Sequence, residues 1–145
     1  MSWFSDDMPR PVPNMDDAGF WDGCAARRLL FQHCAQCSTA RHPPTPICPA
    51  CRSSAVQWIE APADAEVYTY TVIHYAAHPA VKERLPYVAA VVSFKGLDGV
   101  RLVTNLTDCD RTRVKIGMPL KLWWDDIGEG QFLPRFAPLD ARTSA

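Results

Sequence analysis

Five short runs rich in β-branched and aromatic residues follow one another through the second half of this chain, at 66–75, 87–95, 100–107, 120–126 and 131–136. In the first of them Val67, Thr69, Thr71 and Ile73 fall on one face and Tyr68, Tyr70, Val72 and His74 on the other, so both faces are expected to be partly buried. Gly96-Leu97-Asp98-Gly99 is placed to turn one hairpin and Gly128-Glu129-Gly130 the last. Five such strands in one small unit predict a closed barrel of the OB type over 61–138. The first half reads differently. From Asp16 or Asp17 as N-cap, Phe20, Trp21, Cys24, Ala25, Arg28 and Leu29 recur with a helical period. Gly19 and Gly23 weaken that helix, so packing of Phe20 and Trp21 has to hold it. Residues 1–15 carry Pro9, Pro11 and Pro13 between Trp3, Phe4 and Met8 and predict an extended or mobile tail, as do 139–145 at the other end.

Between helix and barrel stand Cys34, Cys37, Cys48 and Cys51, two Cys-x-x-Cys pairs separated by ten residues. Two residues between paired thiolates let a tight knuckle aim both sulfurs at one point, and two knuckles close a tetrahedral S4 site. Zinc is the expected metal, in a structural role; a disulfide pair and a redox or iron site are the lesser alternatives. Pro43, Pro44 and Pro46 make the intervening sequence turn-like, which argues against a thioredoxin-type dithiol. With strands read at 29–33 and 55–60, the helix and ribbon occupy 16–60, and Ala61-Pro62-Ala63-Asp64 forms the junction to the barrel.

Composition narrows the use of such a chain. Its 145 residues, 48% hydrophobic, support a real core, yet the ribbon alone is too small to build one without metal. Fifteen Lys and Arg against sixteen Asp and Glu leave a net charge of −1, which disfavours a protein that works by neutralising phosphates. The apolar run at 88–92 is far too short to span a bilayer, and the first residues have no signal-peptide pattern. Reduced thiols and the absence of such segments predict a cytoplasmic protein.

In their order, the Phe20-Trp21 helix, the proline-rich Cys-x-x-Cys ribbon, the strand 67–74, Leu85-Pro86-Tyr87-Val88 and Ile116-Gly117-Met118-Pro119-Leu120 resemble the zinc-ribbon/OB-fold acyl-CoA-associated proteins, long catalogued as domain-of-unknown-function family thirty-five. The resemblance runs over about 17–138. It implies a rubredoxin-like ribbon joined to an OB barrel, and a non-catalytic accessory subunit of a thiolase-fold enzyme. That enzyme would be an aldolase, thiolase or acyltransferase of steroid side-chain or other lipid metabolism, the pair forming a hetero-oligomer with an acyl-CoA site that both share.

The residues themselves offer no catalytic set: there is no Gly-x-Ser-x-Gly elbow, phosphate loop or His-Glu-x-x-His helix. Cys24 reads as an inert core thiol and Cys109, between Asp108 and Asp110, as a disfavoured thiolate. His33 and His42 read as outer groups of the ribbon. Candidates for contact with CoA or a partner are His74 and His78 with Lys82 and Arg84 in the long loop after the first barrel strand. Arg111, Arg113 and Lys115 join them, because an extended backbone would align those three cations. Of Trp123 and Trp124, on opposite faces of a strand, one ring belongs to the core and Trp124 is taken as the interface candidate. The rival reading is a single-stranded nucleic-acid binder that stacks bases on Tyr68, Tyr70 and Phe94.

Overall fold

The computed structural model describes residues 2–141. Helix α1 (Ala18–Ala25) packs on a three-stranded antiparallel sheet built from β1 (Leu30–Cys34), β2 (Ala40–Arg41) and β3 (Val56–Glu60), in the order β2-β1-β3. Close approach explains the two glycines of the helix. A Cβ on Gly19 would lie 2.2 Å from the Trp58 indole, and one on Gly23 2.8 Å from the Arg28 carbonyl. Glycine costs intrinsic helix stability here and gains contact with the sheet.

Five strands close the barrel: β4 (Ala65–Ile73), β5 (Tyr87–Phe94), β6 (Leu97–Leu106), β7 (Pro119–Gly128) and β8 (Gln131–Pro138). Their order around it is β4-β5-β6-β8-β7, with β6 and β8 parallel at Leu106 and Phe136 and all other pairs antiparallel. That is the topology of an OB fold. Alternation in β5 is regular, with Val88, Ala90, Val92 and Phe94 buried. In β4 it is broken. Val67 pairs with Val92 and Thr69 with Val91, leaving Tyr68 as an extra residue in a bulge. The bulge exchanges the two faces, so Val67 and Val72 both reach the core although they are an odd number of residues apart. The first hairpin also turns earlier than the glycine spacing predicts. Phe94 pairs with Leu97 across Lys95-Gly96, and Gly99 falls inside β6 at φ +79°. The last turns on Glu129-Gly130, both at positive φ.

Ribbon and barrel share one core. Phe31 of β1 meets Phe94 of β5 edge to face at 5.1 Å, Phe94 meets Phe136 of β8 at 6.2 Å, and on the other side Phe31 and Phe20 clasp the His42 imidazole at 5.3 and 4.9 Å. His42, read as an outer or surface group of the ribbon, is half-buried between two rings, where the chain leaving β2 runs against Phe20 of α1.

The N-terminal segment has no regular element, as its prolines require, but it is fastened along its length rather than free. Phe4 is buried against Trp3 and Tyr87. The Trp3 amide donates to both oxygens of Asp125 at 3.1 and 3.2 Å, Arg84 Nε donates to the Trp3 carbonyl at 2.5 Å, Gln131 Nε2 to the Pro11 carbonyl at 3.3 Å, and Arg10 pairs with Glu129 at 2.7 Å. Buried aromatic area supplies the driving force that composition alone did not locate. Of the C-terminal tail, only Leu139–Ala141 is described; the rest lies outside the described residues. Among the described residues, no helix is long and apolar enough to cross a membrane.

Burial holds His42 below its ordinary pKa. Its neutral form is favoured by folding, so the stability it supports is complete above the unfolded value of about 6.5 and declines as pH falls through that value. His42→Phe keeps a ring between Phe20 and Phe31 and removes the charge. Thermal denaturation compared at pH 7.5 and 5.5 should show a smaller acid-side loss in this variant than in the wild type; equal losses would contradict the assignment.

Candidate metal centre and barrel face

The two knuckles are near-copies of each other, fourteen residues apart. In the first, Cys34 N–H donates to the Thr39 carbonyl at 2.9 Å and Ser38 N–H to the Cys34 carbonyl at 3.0 Å. In the second, Cys48 N–H donates to the Ser53 carbonyl at 2.9 Å and Arg52 N–H to the Cys48 carbonyl at 2.8 Å. Ser38 and Arg52 both occupy the left-handed region, at φ 64° and 66°, which closes each turn directly after its second cysteine. The turns face each other, with Cys34 and Cys51 sulfurs 3.6 Å apart, Cys37 and Cys48 sulfurs 3.6 Å apart, and all four within 4.8 Å. A tetrahedral ion with bonds of about 2.3 Å sets its sulfurs about 3.8 Å apart, so the cluster fits a zinc tetrathiolate and is too open for a disulfide.

Backbone amides prepare two of the four sulfurs, those of Cys34 and Cys48, for that role. The Cys37 N–H reaches Cys34 Sγ at 3.4 Å and, with the Gln36 N–H, brings the Cys34 thiol down to about 6; the Cys51 and Ala50 amides lower Cys48 in the same way. Thiolates held by amides are ready ligands. The two thiols outside the cluster are not. Burial pushes Cys24 up to about 12, and burial followed by Asp108 and Asp110 raises Cys109.

The contact candidates do not form one site. His74 and Lys82 are exposed, but His78 caps the 3-10 turn Pro79–Arg84 by accepting the Ala80 N–H on Nδ1 at 3.1 Å. Arg84 is committed to the N-terminal segment, bonding the Trp3 carbonyl and lying 5.2 Å over its ring. The expected cation row is absent: Arg111–Arg113 is a 3-10 turn, nucleated by Asp110, whose carboxylate accepts the Thr112 N–H at 2.9 Å and its hydroxyl at 2.7 Å. A helical turn spreads side chains that a strand would align, so Arg111, Arg113 and Lys115 are exposed without sharing one extended face. Trp124, read as the interface ring, is partly buried and packs against the core, while Trp123 is tethered through Nε1 to Thr107 Oγ1 at 2.8 Å. Phe94 is buried at 5% exposure and cannot stack a base.

Sequence reasoning passed over a buried ion pair of the barrel. Arg135 Nε meets Asp125 Oδ2 at 2.7 Å and its Nη1 meets Asn105 Oδ1 at 2.6 Å, beneath the rings of Trp3 and Phe4. Arg135 lies in a strand that reads as ordinary alternation; its pairing with Trp123 in register, three residues from Phe132, gave no signal of burial.

Comparison with known proteins places these features in a family. The model for the rubredoxin-like zinc ribbon domain of ChsH2 matches residues 21–57, and that for the ChsH2 C-terminal OB-fold domain matches 58–125. A probable enoyl-CoA hydratase alpha subunit of Thermomonospora curvata is 42% identical over 130 residues, covering 90% of this chain and 40% of that protein. The 3-oxo-4,17-pregnadiene-20-carboxyl-CoA hydratase alpha subunit of Mycobacterium tuberculosis is 36% identical over 123 residues, covering 84% and 38%. The chain thus spans about two fifths of the length of these curated relatives. The solved Ltp2-ChsH2(DUF35) aldolase contains a chain 42% identical to this one, matched over 89% of this chain and 98% of that one with a TM-score of 0.80.

The zinc is structural. Purified protein should carry about one zinc per chain, and Cys37→Ser or Cys48→Ser should lose the ion and unfold the ribbon while the barrel strands persist, read by metal analysis and by amide exchange. Four freely titratable thiols in a folded, metal-free protein would contradict this. With matched knuckles, a closed five-stranded barrel and both domain models in register along it, this chain belongs to the ChsH2-type zinc-ribbon/OB-fold (DUF35) family.

Proposed function

We propose that this chain is a non-catalytic accessory subunit of a thiolase-fold enzyme that makes or breaks a carbon–carbon bond in an acyl-CoA thioester, with a steroid-type CoA thioester as the substrate class. The observation that carries this reading is the likeness to the aldolase chain, which extends over 98% of that chain and so takes in ribbon and barrel together. The names of both hydratase subunits add that relatives of this fold belong to enzymes of CoA thioesters, one of them steroidal.

The chemistry of the described residues supports a supporting role. Four thiols are committed to zinc, and the remaining two are held protonated by burial. A thiolase-type reaction needs an activated cysteine, and in this reading the partner supplies it. His74, Lys82, Arg111, Arg113 and Lys115 are exposed on barrel loops and are assigned to the rim that meets the partner or the CoA phosphates. His78 caps the turn of the loop after β4 and Arg84 ties that loop to the N-terminal segment, while Trp124 packs against the core. The work would take place in the cytoplasm, where CoA thioesters and reduced thiols coexist. The nucleic-acid reading is weakened by the burial of Phe94 and by Arg101, which covers the Tyr68 ring at 4.1 Å.

Assay of the isolated chain against CoA thioesters should show no turnover, and activity should appear when a co-purified partner subunit is added. Arg111→Ala with Arg113→Ala should raise the apparent KM by a few-fold, mostly through a salt-dependent on-rate, as rim charges do. Turnover by the isolated, contaminant-free chain would refute the proposal.

A further inference from the structure

Where α1, the proline turn of the ribbon, the N-terminal segment and the outer face of the barrel converge, they leave a cleft of about 480 Å³. Phe20, Trp21 and Pro44 form one wall. Opposite them the floor is outward-facing β5 and β6, where Ala89 is small enough to leave room and Val103 is 75% exposed despite being apolar. This volume is in the range of small-molecule sites, and its lining is largely apolar, with Asn105 and Arg135 at its barrel end and Asp17 and His42 on the side of α1 and the ribbon.

The polar end is built, not incidental. Arg135 is only 5% exposed and lines the cleft; Nε and Nη1 are spent on Asp125 and Asn105, and its Nη2 meets no acceptor among the described residues. Asn105 Oδ1 accepts from Arg135 Nη1, and its amide Nδ2 remains as a second donor with no protein partner among the described residues. Asp125, 1% exposed, offsets the guanidinium charge. Two donors therefore belong to the barrel end of the cleft, where Asp125 already balances the Arg135 charge, while the Asp17 carboxylate lines the helix side. A carboxylate entering it would bury an unbalanced negative charge, whereas a carbonyl oxygen accepts both hydrogen bonds without one.

We propose that this cleft binds a neutral, apolar ring compound by its ketone oxygen, seated on Asn105 and Arg135. The inference deepens the accessory-subunit reading and rests on it only for the ligand's origin: the ring portion of the thioester lies here while its CoA end is presented to the partner. Ala89 and Val103 set the depth, and Asn105 and Arg135 set the polarity.

The test uses the isolated zinc-loaded chain and progesterone, a neutral fused-ring ketone, as the probe. Titration followed by amide NMR should saturate, with shifts centred on Ala89, Val103 and Asn105. Asn105→Ala should weaken binding about five- to tenfold, the loss of one hydrogen bond, and a carboxylate in place of the ketone should weaken it at least as much. Val103→Trp fills the cleft from its exposed side without entering the core and should abolish saturation while amide spectra show an intact fold. Non-saturating shifts in the wild type, or wild-type affinity in Val103→Trp, would overturn the proposal. So would a Val103→Trp chain that fails to join the partner when the wild type binds no probe, since the cleft would then be a socket for protein. Probe binding by a chain that assembles with no enzyme subunit would instead count against the accessory-subunit reading alone.

Discussion

Four sulfurs gathered around one ion fix the geometry on which every other contact of the ribbon depends. Strands of five, two and five residues bury too little to hold themselves together, and the knuckles between them turn on Ser38 and Arg52 in the left-handed region. Once the zinc pins β1 in place, its alternation does two jobs. Phe31 is delivered to Phe94 on the barrel side, and Leu30 and Gln32 are presented to the helix side, where glycines let α1 come close. Truncating a buried Phe in such a seam costs about 3–5 kcal/mol, so loss of the metal reaches the ribbon–barrel junction through Phe31.

A second constraint works from within the barrel. Asp125 and Arg135 are buried as a pair, and a buried pair is tolerable only when its remaining hydrogen-bonding capacity is met. The Trp3 amide, Asn105 and the faces of Trp3 and Phe4 supply most of it. The N-terminal segment is thereby part of the barrel's electrostatics rather than an appendage. It also forms one border of the cleft, so ribbon, segment and barrel jointly shape a surface that none of them has alone.

The elements most legible in the sequence were those with a local code. Cys-x-x-Cys spacing, the strand alternation of β5 and the Glu129-Gly130 turn each carry their geometry in adjacent residues, and the barrel topology followed from counting them. What escaped had causes several residues or a whole domain away. A bulge at Tyr68 exchanged the faces of β4; Asp110 converted an expected strand of cations into a helical turn; and the Trp3 amide found a carboxylate 122 positions along the chain. Arg135 reads as a solvated charge until Asp125, ten residues back and antiparallel to it, is seen beside it. Contacts to a partner lie furthest from any local code, which is why the exposed cations of the loops were named from chemistry and then scattered by the fold.

The central claim is that this chain works as one component of a hetero-oligomeric CoA-thioester enzyme. Native mass spectrometry of the complex recovered under gentle conditions from its source cells addresses it most directly. The account predicts assemblies containing this chain, with its zinc, together with a subunit of thiolase fold in fixed ratio. Recovery of the chain alone or only with copies of itself, under conditions in which other hetero-oligomeric enzymes of the same extract stay intact, would contradict it.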